Sequence, residues 1–148
     1  MPQRFFEDFA VGDRFETEAQ SLSEEEIIDF ASRYDPQYLH IDAEAAKASI
    51  YGGLIASGWH TMALGFRLFI DLDILGRNSL GSPGIDELRW LKPVRPGDTI
   101  RTRAEVVATR PSRSRPERGN VHFTWTILNQ RDEAVTTFKS VQIMRRRG

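Results

Sequence analysis

Over residues 59–75 the chain is apolar on almost every side: Trp59, Met62, Ala63, Leu64, Phe66, Leu68, Phe69, Ile70, Leu72, Ile74 and Leu75 leave little room for a polar face. A helix apolar nearly all round is a buried helix, so the rest of the chain must supply a surface that surrounds it. That surface comes from downstream. After turn chemistry over 76–84, strand patterns follow at 85–91, 99–109, 119–129 and 134–144, separated by turns at 93–98 and 130–133. The third alternates most clearly, with Val121, Phe123, Trp125 and Ile127 on one face and His122, Thr124 and Thr126 on the other. Strands that arrive consecutively, without helices between them, form an antiparallel sheet in an α+β domain. The expected architecture is that sheet wrapped around one long central α-helix. A helix lying on one face of the sheet also fits the pattern.

Upstream, a second helix begins at Ser23-Glu24-Glu25-Glu26, which has the form of a capping box with acidic groups in the first turn. Ile27, Ile28, Phe30 and Ala31 give it one apolar face, and Pro36 disfavours helical geometry at Asp35, so the helix should end near Tyr34. Asp42 caps a short alanine-rich helix over 43–48, and a short strand is possible over 14–20. With 148 residues, 40% of them hydrophobic, one domain spanning 1–148 is expected. Lys and Arg (20) nearly balance Asp and Glu (21), so no overall field favours nucleic acid. No cysteine is present, which removes disulfides, thiolate metal sites and a cysteine nucleophile. The first eight residues are too acidic for a signal peptide and no run is long enough for a membrane helix, so a cytoplasmic protein without membrane contact is expected.

The polar residues that stand out lie together. Asp35 and His40, the latter expected in a loop, are a carboxylate and an imidazole close to the start of the central helix. If they converge they form an acid/base pair, since histidine titrates near neutral pH; alternatively Asp35 is a turn residue before proline. Gly58 opens the central helix, where a free backbone N–H suits an oxygen on which negative charge develops, or the glycine merely permits a tight entry. Ser57 reads as the helix N-cap before it reads as a nucleophile, because the G-x-S-x-G elbow is missing. His60 and His122 read as partly exposed and surface residues. No H-x-x-x-H spacing supports a metal site, and none is expected. Between two strands, Arg110, Arg113, Arg115 and Arg118 make a loop that either binds phosphate groups or is simply solvated. Arg145-Arg146-Arg147 reads as a frayed tail.

These residues resemble the MaoC-like dehydratase family, which includes the R-specific enoyl-CoA hydratases. The resemblance rests on Asp35, His40 five residues later and Ala46 six beyond that, on Gly58 within 53–61, and on the strand and turn over 87–98. It implies a hot-dog fold and a syn addition of water to a trans-2-enoyl thioester, or the reverse, with acyl-CoA as the expected substrate. Asp35 and His40 would hold the water and move its protons, and Gly58 N–H would polarise the thioester oxygen. Gln37, Ser57 and Trp59 would adjoin the substrate, with Arg113 and Arg115 at its phosphates. The resemblance also implies a homodimer joined edge to edge, and no metal or redox cofactor. The chain departs from the family pattern at Gln37-Tyr38, where Asn-Pro is usual, and at Tyr34, where Gly or Ser is frequent. These departures bear on substrate identity and leave the Asp/His pair intact. A hot-dog thioesterase and a non-catalytic acyl-thioester-binding protein are the alternatives.

Overall fold

The computed structural model describes residues 3–148; Met1 and Pro2, part of the N-terminal segment read above for a signal peptide, lie outside that range. Its helices are α1 (Glu24–Tyr34), α2 (Tyr38–Ile41), α3 (Ala43–Lys47) and α4 (Gly58–Ile70), and its strands are β1 (Arg14–Glu16), β2 (Gln20–Ser21), β3 (Ile85–Trp90), β4 (Thr99–Pro111), β5 (Arg118–Asn129) and β6 (Ala134–Arg145). The six strands form one sheet in the order β1-β4-β5-β6-β3, with β2 also on β4, and every pairing is antiparallel. Register shifts at Val106/Ala108 and Asp86/Arg89 mark bulges, which bend a strand and increase its twist as the sheet curls over α4. This is the hot-dog architecture.

Local chemistry fixes the helix starts. Ser23 accepts from Glu26 N at 3.1 Å while the Glu26 carboxylate accepts from Ser23 N at 2.9 Å, the reciprocal box that the sequence implied. Asp42 caps α3 by accepting from Ala45 N at 3.1 Å. The central helix packs through Thr61, Met62, Gly65, Leu68 and Phe69 onto the alternating inner face of β5, where Val121, Phe123, Trp125 and Ile127 are all buried. Gly65 allows the close approach. A Cβ there would lie 2.5 Å from Ile127 Cδ1, and the Thr102 hydroxyl donates to the Gly65 carbonyl at 2.8 Å.

Three expectations need correction. The central helix is neither as long nor as fully buried as its composition implied. It ends at Ile70, after which the chain turns through Asp73 at φ +56°. Its outward face remains open, with Trp59, Phe66 and Ile70 exposed, because the sheet covers one side only. His40 lies in a one-turn helix, not a loop, since Gln37 starts a new turn directly after Pro36. The C-terminal arginines do not fray: Arg146 and Arg147 pair with Glu7 and Asp8 on the 3-10 turn Phe6–Asp8.

Candidate active site

Three segments meet at the start of α4. Asp35 terminates α1, His40 is carried by α2, and Ser57 caps α4. Stacking of Phe30 on His60, with centroids 4.6 Å apart and planes within 9°, ties α1 to the first turn of α4 and so brings the end of one helix to the beginning of the other. The segment between is held from both sides, by Ile55 N donating to Leu39 O and Ala56 N donating to Val94 O.

His40 is buried, and its Nδ1 lies 2.8 Å from the Ile55 carbonyl. A carbonyl only accepts, so Nδ1 carries the hydrogen, and Nε2 is the atom left to exchange a proton. Nε2 faces Asp35 Oδ2 at 3.4 Å. The carboxylate is clamped elsewhere: the Gln37 amide donates to Oδ1 at 2.7 Å and the Ser57 hydroxyl to Oδ2 at 2.7 Å. The Gln37 bond, then the Ser57 bond and the neighbouring His40, hold Asp35 below its ordinary carboxylate value against the opposing effect of burial. Burial pushes the His60 imidazole down; its Nδ1 finds no hydrogen-bond partner among the described residues.

A cavity of about 360 Å³ opens beside this cluster, lined by Asp35, Gln37, His40, Gly58, Trp59 and Thr61 and closed on the other side by Trp90, Lys92 and Pro93. Gly58 is needed for a packing reason, because a Cβ there would sit 2.3 Å from the Trp90 indole.

The cavity thus gathers Asp35, His40, Gly58, Gln37 and Trp59. Ser57 is fully buried behind them, where it caps α4 and bonds Asp35 without bordering the cavity, so it is not positioned to touch a substrate. Arg113 and Arg115 are far away. Cavity residue Thr136 pairs with Ile127, which pairs with Thr102, whereas the arginine loop lies beyond Pro111 at the other end of β4. The nine residue steps of strand from Thr102 to Pro111 span about 30 Å at the ordinary rise. The cations near the cavity are Lys92 on its wall and Arg95, which donates to the Tyr51 carbonyl at 2.7 Å. Neither is assigned a role from the sequence, where 87–98 counts only as a strand and a turn. Trp90 was missed too, although an obligatory glycine at a helix start is a signal for a large side chain opposite. Among the described residues no three His, Asp or Glu side chains converge as metal ligands.

Gln37→Ala removes the leading influence on Asp35, so Asp35 should titrate at higher pH, read by carboxyl carbon NMR. A depressed carboxyl contributes stability that is present above its unfolded pKa and lost as pH falls through its folded one. The substitution therefore diminishes that contribution and raises the pH at which its loss is complete, while the loss still begins near the unfolded pKa. An Asp35 titration identical to that of the wild type would show that the amide has no such influence.

A hot-dog protein with a carboxylate and an imidazole at the N-terminus of its central helix is the class that fold and site define. The chain belongs to the MaoC like domain family, whose model matches residues 8–125. It is similar to the crystal structure of a MaoC-like dehydratase from Rhodospirillum rubrum, with 41% identity, a TM-score of 0.90 and coverage of 98% of this chain and 99% of that one. The R-hydratase of Pseudomonas aeruginosa superposes with a TM-score of 0.77 at 25% identity, covering 97% of this chain and 86% of that one. Mesaconyl-CoA hydratase of Cereibacter sphaeroides is 30% identical over 148 residues, which is 97% of this chain and 42% of that protein. The chain thus spans less than half the length of that last relative. No helix among the described residues is long and apolar enough to cross a membrane.

Proposed function

We propose that this protein adds water to a trans-2-enoyl thioester, or removes it from the 3-hydroxyacyl thioester, with coenzyme A as the carrier. The observation that carries the reading is the His40 ring, fixed at Nδ1 by the Ile55 carbonyl and turned at Nε2 toward Asp35, beside the N–H of Gly58. Membership of the family and the names of two relatives, both hydratases, support it.

In the hydration direction, His40 Nε2 takes a proton from water as the water oxygen bonds to the β-carbon. The π electrons shift to the thioester oxygen, where Gly58 N–H and the positive end of α4 stabilise the charge. The same Nε2 then returns a proton to the α-carbon, giving net syn addition. Asp35 is a poor base, since both its oxygens already accept hydrogen bonds; its work is to orient the water and to stabilise the imidazolium. Lys92 and Arg95 take the phosphates of the carrier, the role that the sequence reading gave to Arg113 and Arg115. A second copy of the chain pairs along the exposed edge of β3, whose unpaired backbone groups invite it. Activity in the cytoplasm, by one domain spanning 1–148 and without metal or redox cofactor, completes the reading.

Crotonyl-CoA and the purified protein test it. Loss of the enoyl absorbance without release of thiol is the expected result. Thiol release would make the protein a thioesterase instead, and tight binding of several enoyl thioesters without turnover would make it a binding protein.

A further inference from the structure

On the outer face of the sheet, basic side chains have carboxylates beside them until the β4–β5 hairpin is reached. This face is the one that alternates with the buried Thr102, Ala104, Val121 and Phe123, and residues registered opposite each other on adjacent strands share it. Along its middle, Arg103 pairs with Glu16 at 2.9 Å, Arg101 with Asp132 at 2.9 Å and Lys139 with Glu87 at 2.6 Å. At the hairpin end stand Arg110, Arg118 and Arg145 on the strands, with Arg113 and Arg115 in the loop between β4 and β5. Among the described residues none of these five forms an ion pair. Their neighbours Arg146 and Arg147 do, with Glu7 and Asp8.

The arrangement works against folding. Arg118 and Arg145 are registered directly across from each other, and like charges so placed destabilise a strand pair; a carboxylate at either position would favour it. The backbone beneath them is nevertheless fixed. Ser112 N donates to Arg118 O and Arg118 N to Arg115 O, both at 3.1 Å, while Arg146 N donates to Glu117 O at 2.8 Å. The result is a firm edge carrying concentrated positive charge on a molecule that is otherwise acidic: the formal charge of −1 becomes −6 without these five arginines.

That contrast limits what the edge can hold. A long polyanion would run off the arginines onto a net acidic surface, whereas a short anionic element would not. Three adjacent strands cover about 10 Å, close to two turns of an α-helix. Guanidinium groups also match carboxylates in planar, two-bonded pairs.

We propose that the hairpin end of the outer sheet face is a docking surface for another protein, and that it takes a short acidic segment whose carboxylates pair with Arg110, Arg113, Arg115, Arg118 and Arg145. This end of β4 lies opposite the end near the cavity, so a partner held here leaves the cavity open. The inference is independent of any turnover there.

A fluorescent peptide of glutamate and alanine, titrated with the whole protein at low salt, tests it. Wild type should bind the peptide, and affinity should fall as salt rises. Arg113→Glu, Arg115→Glu and Arg145→Glu combined should weaken binding by about tenfold or more, as expected where charges across an interface are reversed. All three positions are exposed, and Arg145→Glu exchanges a repulsive partner of Arg118 for an attractive one, so the variant should melt no lower than wild type. Arg33→Glu, Lys47→Glu and Arg67→Glu combined make the same change in net charge at exposed positions on the helices and should leave binding close to that of wild type. Equal losses in the two variants, or no binding by wild type, would overturn the inference. So would tighter binding of a single-stranded oligonucleotide of equal charge, which would make the edge a nucleic-acid surface, or displacement of the peptide by free coenzyme A, which would make it a phosphate site.

Discussion

On the proposed function, Asp35→Asn and His40→Ala are each expected to lower hydration of an enoyl thioester by about 10²- to 10⁴-fold, the usual worth of a positioned proton-transfer group. The two substitutions fail for different reasons. Without the imidazole there is no group to carry the proton from water to the α-carbon. With asparagine at position 35 the ring remains, but the imidazolium that must form next to it loses its counter-charge, which now lies 3.4 Å from Nε2. Asparagine is accommodated in the clamp: its carbonyl still accepts from Gln37, and the Ser57 hydroxyl can rotate to accept from the new amide. Asp35→Asn should therefore stay close to wild type in melting temperature. His40→Ala leaves the Ile55 carbonyl unpartnered in a buried setting, which costs about 1–3 kcal/mol. Initial rates on crotonyl-CoA, alongside thermal melts, check both. Normal rates in either variant would remove the catalytic assignment, and a lost rate accompanied by a lost fold would have to be read from Asp35→Asn alone.

Much of the architecture was legible because the signals were local and periodic. Val121, Phe123, Trp125 and Ile127 alternate inward, and all four are buried. Ser23 and Glu26 form a reciprocal box that needs no tertiary contact to be recognised. Spacing alone leaves the Asp35/His40 pair open, with Asp35 also readable as a turn residue before proline, and it is the family resemblance that joins the two; in the fold Nε2 and Oδ2 lie 3.4 Å apart. Where the reading failed, the missing information was long-range. Composition counts Trp59, Phe66 and Ile70 as core, but whether an apolar side chain is covered depends on how far the sheet reaches around α4. The four arginines of the β4–β5 loop looked like a phosphate site because their type was right, and only strand register reveals that they lie at the wrong end of the sheet. Ser57 is the N-cap that its place at a helix start implied, accepting from Trp59 N, but the bond its hydroxyl donates to Asp35 reaches a partner 22 positions away that no local pattern shows.

The largest effect on stability is expected at Trp125, which couples α4 to the sheet. Its indole is 2% exposed, stacked on Phe138 with planes within 8°, met edge-on by Phe69 at 4.7 Å and approached by Phe66 at 5.7 Å, and its Nε1–H donates to Ser140 Oγ at 2.8 Å. Trp125→Ala removes those contacts and leaves a cavity under the helix, a change that costs about 3–5 kcal/mol. For a chain of this size that lowers the melting temperature by on the order of 10 °C. Trp125→Phe retains most of the ring and chiefly loses the hydrogen bond, so it should cost clearly less, about 1–2 kcal/mol. Val107→Ala, at a position 49% exposed, is the reference for a side chain outside the core. Denaturant unfolding of the three variants separates these contributions, and a Trp125→Ala cost no larger than that of Val107→Ala would contradict the packing described. Function should follow stability here only indirectly. Ser57 and Gly58 are held at the first turn of α4, about 10 Å along the helix axis from Gly65 and the sheet contacts around it. A helix that settles into the space left by the indole moves the Gly58 N–H relative to His40, so Trp125→Ala should lower kcat well below its melting temperature while Trp125→Phe, which keeps the helix at its distance, should not.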